Sequence, residues 1–339
     1  MLRKTEVMMP APQRRFVVGM LLLLTVPISS YSRGSSGQMG SLAISPNGSS
    51  IAVDFGTDGG SFIYVIPIDT GIARRLTKTK DGTELSPSFS ADGKRIAFAY
   101  RPGGQTRSSI VVVSVGGSDL REWSPSGGDD FSPVFSPDGK TIVFGQSQYF
   151  GSYSSIAQPH SHAWDFYASD PDGGSVRQIT NESFYTASAP SISSDSKNMV
   201  VVTEGSDTPQ HIAVYSLDHL GKPILMLQPH VPRAADPKSP ILDDPNYMPD
   251  GRSVLFMAAS EGGRTFDYDV YRVDLKTGSI DRLTKGNGYA TGLRVSANGK
   301  TAVFLKWRVN WSGTPTNPQL CLLDVASHRI TRLTITGLN

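Results

Sequence analysis

A chain of 339 residues, 38% of them hydrophobic, is long enough for one large domain or two ordinary ones and can bury a sizeable core. Its 32 basic and 30 acidic residues leave a formal charge of +2, which gives no electrostatic case for nucleic acid or a membrane surface as partner. A single cysteine, Cys321, excludes an intramolecular disulfide and a Cys-x-x-Cys metal or redox site, and its apolar surroundings place it in the core.

The first thirty residues differ from the rest. Arg3, Lys4, Arg14 and Arg15 precede an apolar run from Phe16 to Ile28, and Ser29 and Ser30 follow. Basic region, apolar core and small residues in that order predict a secretory signal over residues 1–30. The 13-residue run is shorter than the ~20 a helix needs to span a bilayer, so no stable span is expected once the signal is removed. Residues 31–38 are rich in Ser and Gly and read as a flexible leader.

From there a turn motif recurs. It begins at Ser45-Pro46-Asn47-Gly48 and continues at Ser90-Ala91-Asp92-Gly93, Ser136-Pro137-Asp138-Gly139, Ser193-Ser194-Asp195-Ser196, Met248-Pro249-Asp250-Gly251 and Ser296-Ala297-Asn298-Gly299. Asp-Gly and Asn-Gly favour tight hairpin turns because both residue types tolerate positive φ. From Ser45 to Ser296 five intervals span 251 residues, about 50 each. A strand-length apolar run follows each turn, Ile142-Val143-Phe144 for instance, and a second follows a loop, such as Val270-Tyr271-Arg272-Val273. Several units close alike, at Arg75-Leu76-Thr77, Gln178-Ile179-Thr180, Arg282-Leu283-Thr284 and Arg332-Leu333-Thr334. No 3.6-residue apolar period persists after the leader, so helices should be few. Four-stranded antiparallel units repeated six times predict an all-β fold, a six-bladed β-propeller over residues 39–339.

These units resemble the WD-like repeats of the TolB propeller family, whose signature is P-x-[FW]-S-P-D-G-K-x-I-[AV]-F, then D-[IV]-Y, then R-x-L-T. Residues Pro133 to Phe144 match every position of the first part, and Asp269-Val270-Tyr271 with Arg282-Leu283-Thr284 supply the others. The resemblance implies a propeller-only relative, because only the short leader precedes the first repeat where TolB itself carries an α/β domain. No Gly-x-Ser-x-Gly nucleophile elbow occurs, as it would in propeller-bearing serine peptidases. The N- and C-terminal units are expected to meet by side-chain packing alone, without strand exchange.

Function should sit on loops opposite the Asp-Gly turns. The longest loop expected there, Gly145 to Asp165 in the third unit, contains Tyr149, Tyr153 and Trp164. The fifth unit adds Phe266 and Tyr268, and the sixth Trp307 and Trp311. Aromatics gathered on one face are candidate anchors for a protein or peptide partner, or for an envelope glycan through ring stacking. His160 and His162 form a short chelating pair that lacks a third ligand in the sequence. Asp243 and Asp244 read as a solvated acidic pair in a link. The expectation is a secreted binding scaffold, periplasmic or extracellular, with no cofactor and no catalytic activity of its own. The alternative is a metal-dependent, lyase-like carbohydrate-active propeller using the histidine pair.

Overall fold

The repeated turns close on their own side chains. At Ser136-Pro137-Asp138-Gly139 the Ser136 hydroxyl donates to Asp138 and accepts the N–H of Thr141 at 3.0 Å. Asp138 also accepts the N–H of Lys140 at 3.1 Å, and Gly139 takes φ 71°, the left-handed region that glycine enters without strain. The eroded Ser193-Ser194-Asp195-Ser196 makes the same bonds with Ser196 at φ 59°. Where Met248 replaces the serine, Asp250 binds the N–H and hydroxyl of Ser253 instead.

The structure, a computed structural model, describes residues 37–338 except 125–126, 152–159, 185, 205–208, 233, 235–239, 263–264, 287 and 310–314. The side chains of 148, 150–151, 160–162, 186, 261–262, 265–266, 309 and 315–317 also lie outside the description. No helix occurs among the described residues, and none is long and apolar enough to cross a membrane.

Each turn joins the first two strands of a four-stranded meander. The first unit is β1 (Met39–Ile44), β2 (Ser50–Thr57), β3 (Gly60–Pro67) and β4 (Arg74–Arg75). The second is β5 (Gly82–Phe89), β6 (Arg95–Arg101), β7 (Ser109–Ser114) and β8 (Arg121–Trp123). The third is β9 (Asp129–Phe135), β10 (Ile142–Gly151), β11 (His160–Ser169) and β12 (Arg177–Gln178). In the fourth, Pro190 cannot donate to the ladder and the inner strand is split into β13 (Thr186–Ala187) and β14 (Ser191–Ile192). It continues as β15 (Asn198–Glu204), β16 (His211–Ser216) and β17 (Leu225–Leu227). The fifth is β18 (Leu242–Tyr247), β19 (Ser253–Gly262), β20 (Thr265–Asp274) and β21 (Ile280–Arg282). The sixth is β22 (Ala290–Val295), β23 (Thr301–Val309), β24 (Pro315–Asp324) and β25 (Ile330–Arg332). All pair antiparallel within a unit, and a short parallel bridge, Gly60 to Gly82 and Ser61 to Thr83, joins the first two units into one sheet.

The hydrophobic clusters lie between successive units. Ile63 and Val65 meet Phe89 and Phe98; Val112 meets Phe135; Phe166 meets Met199; Val214 meets Phe256; and Val270 meets Phe304. A last cluster joins Leu42, Val53 and Tyr64 of the first unit to Val303 and Leu320 of the sixth. This is a propeller of four-stranded antiparallel blades, each burying both sheet faces against its neighbours.

The termini meet by more than packing, contrary to expectation. Beyond β25, Thr336 donates to the carbonyl of Gly71 at 3.0 Å and accepts the N–H of Ala73 at 2.8 Å. Gly71 has φ 65°, and a Cβ there would lie 2.1 Å from the carbonyl oxygen of Thr334, so the approach needs glycine. No N-terminal segment joins the last blade among the described residues.

Candidate functional site

Two faces follow from this topology. The residue after the first position of each turn motif, Pro46, Ala91, Pro137, Ser194, Pro249 or Ala297, lines one central cavity of about 260 Å³. The turns therefore share one end of the ring, and the hairpins joining second to third strands share the other.

Three of those hairpins are long. The ladder of β10 and β11 runs to Gly151 opposite His160, that of β19 and β20 to Gly262 opposite Thr265, and that of β23 and β24 to Val309 opposite Pro315. In the second and fourth units the ladders stop at Tyr100 opposite Ser109 and Thr203 opposite His211. Much of the stretch read as a loop from Gly145 to Asp165 is thus paired strand, which holds the third-unit hairpin in one direction.

The aromatic candidates separate. Tyr149 is 53% exposed on β10. Trp307 is half-buried and donates its indole N–H to the Thr291 hydroxyl at 3.0 Å. Trp164 and Tyr268 are instead buried and are not presented on the face. Trp164 lies edge-on to Phe131 with centroids 4.1 Å apart, and Tyr268 edge-on to Tyr289 at 5.3 Å. The physical reason is that a blade between two others buries both faces of its strands, so the neighbouring Asp165 and Phe166 are buried as well. Tyr153, Trp311 and the side chain of Phe266 lie outside the described residues, as do the side chains of His160 and His162, whose backbones belong to β11. Among the described residues no three His, Cys, Asp or Glu side chains come together as a metal site. Cys321 is buried in the core as expected, and burial pushes its thiol pKa up.

The acidic pair is not in a solvated loop. Asp243 and Asp244 lie on β18. Asp244 accepts the N–H groups of Gly292 and Leu293 at 2.6 and 3.1 Å and pairs with Arg294 at 2.9 Å. Burial, followed by the charge of Asp244, raises the Asp243 carboxyl. Burial, then the charges of Asp243 and Asp244, push the neighbouring Tyr289 hydroxyl up to about 12. Buried carboxylates on β2 and β9 also hold the first three units. Asp54 accepts the N–H of Ser41 at 2.7 Å and that of Ser86 in the next unit, and burial raises it to about 7. Asp130 binds Gln146 and Ser124, and burial raises it to about 6. Sequence reasoning missed these residues and Arg294 alike. The available signal was departure from the repeat: Arg294 stands where the other units carry Ala43, Ser88, Val134, Ser191 and Asn246.

Comparison with known proteins agrees with this fold. A family model described as the TolB beta propeller domain matches residues 28–162. No curated protein matches the chain. Among solved structures, TolB from Acinetobacter baumannii is similar at TM-score 0.57 and 17% identity, over 88% of this chain and 63% of that one. This chain thus spans less than two thirds of that TolB. The putative TolB from Agrobacterium tumefaciens gives TM-score 0.58 and 17% identity over 80% of this chain and 87% of that one. An oligogalacturonate lyase in complex with manganese gives 0.55 and 15% over 88% and 77%. At such identities the likeness is one of fold, and the propeller is TolB-like.

Proposed function

We propose that residues 39–339 form a six-bladed ring that acts as a binding scaffold without catalytic activity of its own, secreted or periplasmic after removal of residues 1–30, with residues 31–38 as leader. Its rim of long hairpins from the third, fifth and sixth units takes a protein or peptide partner, or an envelope glycan. The observation that carries this reading is the extension of those three ladders beyond the ring on one face, where the second and fourth units stop short. The ladders continue past their last buried pairs, such as Ser147 with Trp164, and a rigid scaffold with elongated loops on one side is a common basis for recognition. Tyr149, Trp307 and Trp311 are the anchors assigned to it. The six-blade count rests on the turn residues that share one cavity and on the cluster between the first and sixth units.

The test is to shorten the hairpin spanning residues 149–162 to a two-residue Asn-Gly turn and to compare partner capture from an envelope extract. Loss of specific partners with an unchanged melting temperature is expected. Capture of the same partners by the shortened ring would refute the hairpin rim. N-terminal sequencing of the exported chain checks the signal boundary, and a mature chain that still begins at Met1 would remove it.

A further inference from the structure

We propose that the central cavity on the turn face, opposite the hairpin rim, is a second binding site that takes the carboxylate of a small ligand, with Arg294 as its anchor. Repetition makes the surrounding wall neutral: prolines, serines and aliphatic side chains come from equivalent positions of successive units. Arg294 breaks that symmetry and is the one charged side chain among the described residues lining the cavity.

The guanidinium is held for recognition. Its Nη1 donates to Asp244 at 2.9 Å and to the Leu293 carbonyl at 2.6 Å. Asp244 is itself fixed by the N–H groups of Gly292 and Leu293, and Asn246 braces the same spot through bonds to the carbonyls of Asp244 and Leu293. Among the described residues, Nε and Nη2 have no protein acceptor. Those two donors form one side of the guanidinium fork and match the two oxygens of a carboxylate. A side chain already ordered by its other edge gives up little conformational entropy on binding. The ion pair with Asp244 leaves the anchor nearly neutral overall, which favours a single carboxylate over a polyanion. At about 260 Å³ the cavity suits a ligand the size of a dipeptide or one sugar acid.

Titration calorimetry on the full chain tests this with two matched pairs: N-acetyl-alanyl-alanine against its C-terminal amide, and glucuronate against its methyl ester. The expected result is binding of at least one free acid, with the neutral partner at least tenfold weaker. Which acid binds tells a peptide C-terminus from a sugar acid. Arg294→Lys keeps the charge beside Asp244 but loses the fork, and should weaken the acid tenfold or more. Ala297→Trp at the exposed rim leaves the ion pair intact, narrows the mouth and should weaken the acid likewise. No heat from either acid at millimolar concentration, equal binding of acid and neutral partner, or full binding by Arg294→Lys would overturn the proposal.

Discussion

The fifth and first units solve the same local problem in different ways. In the fifth, the N–H of Val270 donates to the Thr284 hydroxyl at 2.9 Å, which donates to Asp269 at 3.1 Å, and Arg282 pairs with the same carboxylate. The third unit repeats this with Phe166, Thr180 and Asp165. In the first unit Phe62 stands at the aspartate position, and the carboxylate comes from Glu84 on the inner strand of the second unit. Glu84 accepts the N–H of Ile63 at 2.9 Å and the hydroxyls of Thr77 and Thr79. Arg75, left without an aspartate, lies over the Phe62 ring at 3.5 Å. A buried threonine hydroxyl and strand N–H need an acceptor. When one repeat loses it, the next blade supplies it, and a bond internal to one blade becomes a link between two.

Glu84→Ala tests that link most severely. It strands two buried donors, the Ile63 N–H and the Thr77 hydroxyl, at about 1–3 kcal/mol each, besides the half-buried Thr79 hydroxyl, so denaturant unfolding should show a loss of about 2–6 kcal/mol. Hydrogen exchange should then speed up in both β3 and β5, whereas Asp269→Ala should loosen the fifth unit alone. Protection lost only in one unit by Glu84→Ala would break the comparison.

Asp54 joins the same two units and sets a pH dependence. Burial raises its folded pKa from 3.8 to about 7, so between those values the native chain keeps a proton that the unfolded chain has lost. The stability tied to this proton is complete below about pH 4 and declines as pH rises through 7, by at most about 4 kcal/mol at 1.4 kcal/mol per unit. The melting temperature of the wild type should therefore fall from pH 5 to pH 8, and that of Asp54→Asn should fall less. Parallel curves would show that the carboxyl titrates normally.

Arg282→Met leaves Asp269 buried beside no cation and should cost about 3 kcal/mol, more than Arg75→Met, which loses a stacking contact worth about 1 kcal/mol and a part-buried bond to the Thr79 carbonyl. Equal losses in thermal melts would mean that the aspartate and phenylalanine settings are equivalent. Ser88→Ala removes the acceptor of the Phe135 N–H, 3.2 Å away, and should cost about 1 kcal/mol. Arg121→Ala removes an ion pair whose side chains are 66% and 67% exposed, and its melt should match that of the wild type.

The turn motif was legible in the sequence because its chemistry is local. Serine, aspartate and glycine bind one another across a few residues, so six turns and the strands beside them could be read directly, down to the turn that lacks its glycine at Ser196. The long ladder of the third hairpin was legible only as a long loop, and those of the fifth and sixth only as stretches that carry aromatic residues. Trp164 and Tyr268 read as loop anchors in the sequence, but they lie on β11 and β20, where neighbouring blades cover both faces of the strand.

The order of strands, the turn at each blade edge and the all-β character were thus determined by sequence alone, since each rests on residues within hydrogen-bonding reach along the chain. Tertiary structure alone decided which carboxylate serves which blade, how Thr336 docks beside Gly71, and that Arg294 shares a cavity with turns up to 250 residues away in the sequence. Those pairings depend on distances set by closing the ring, and no local spacing encodes them.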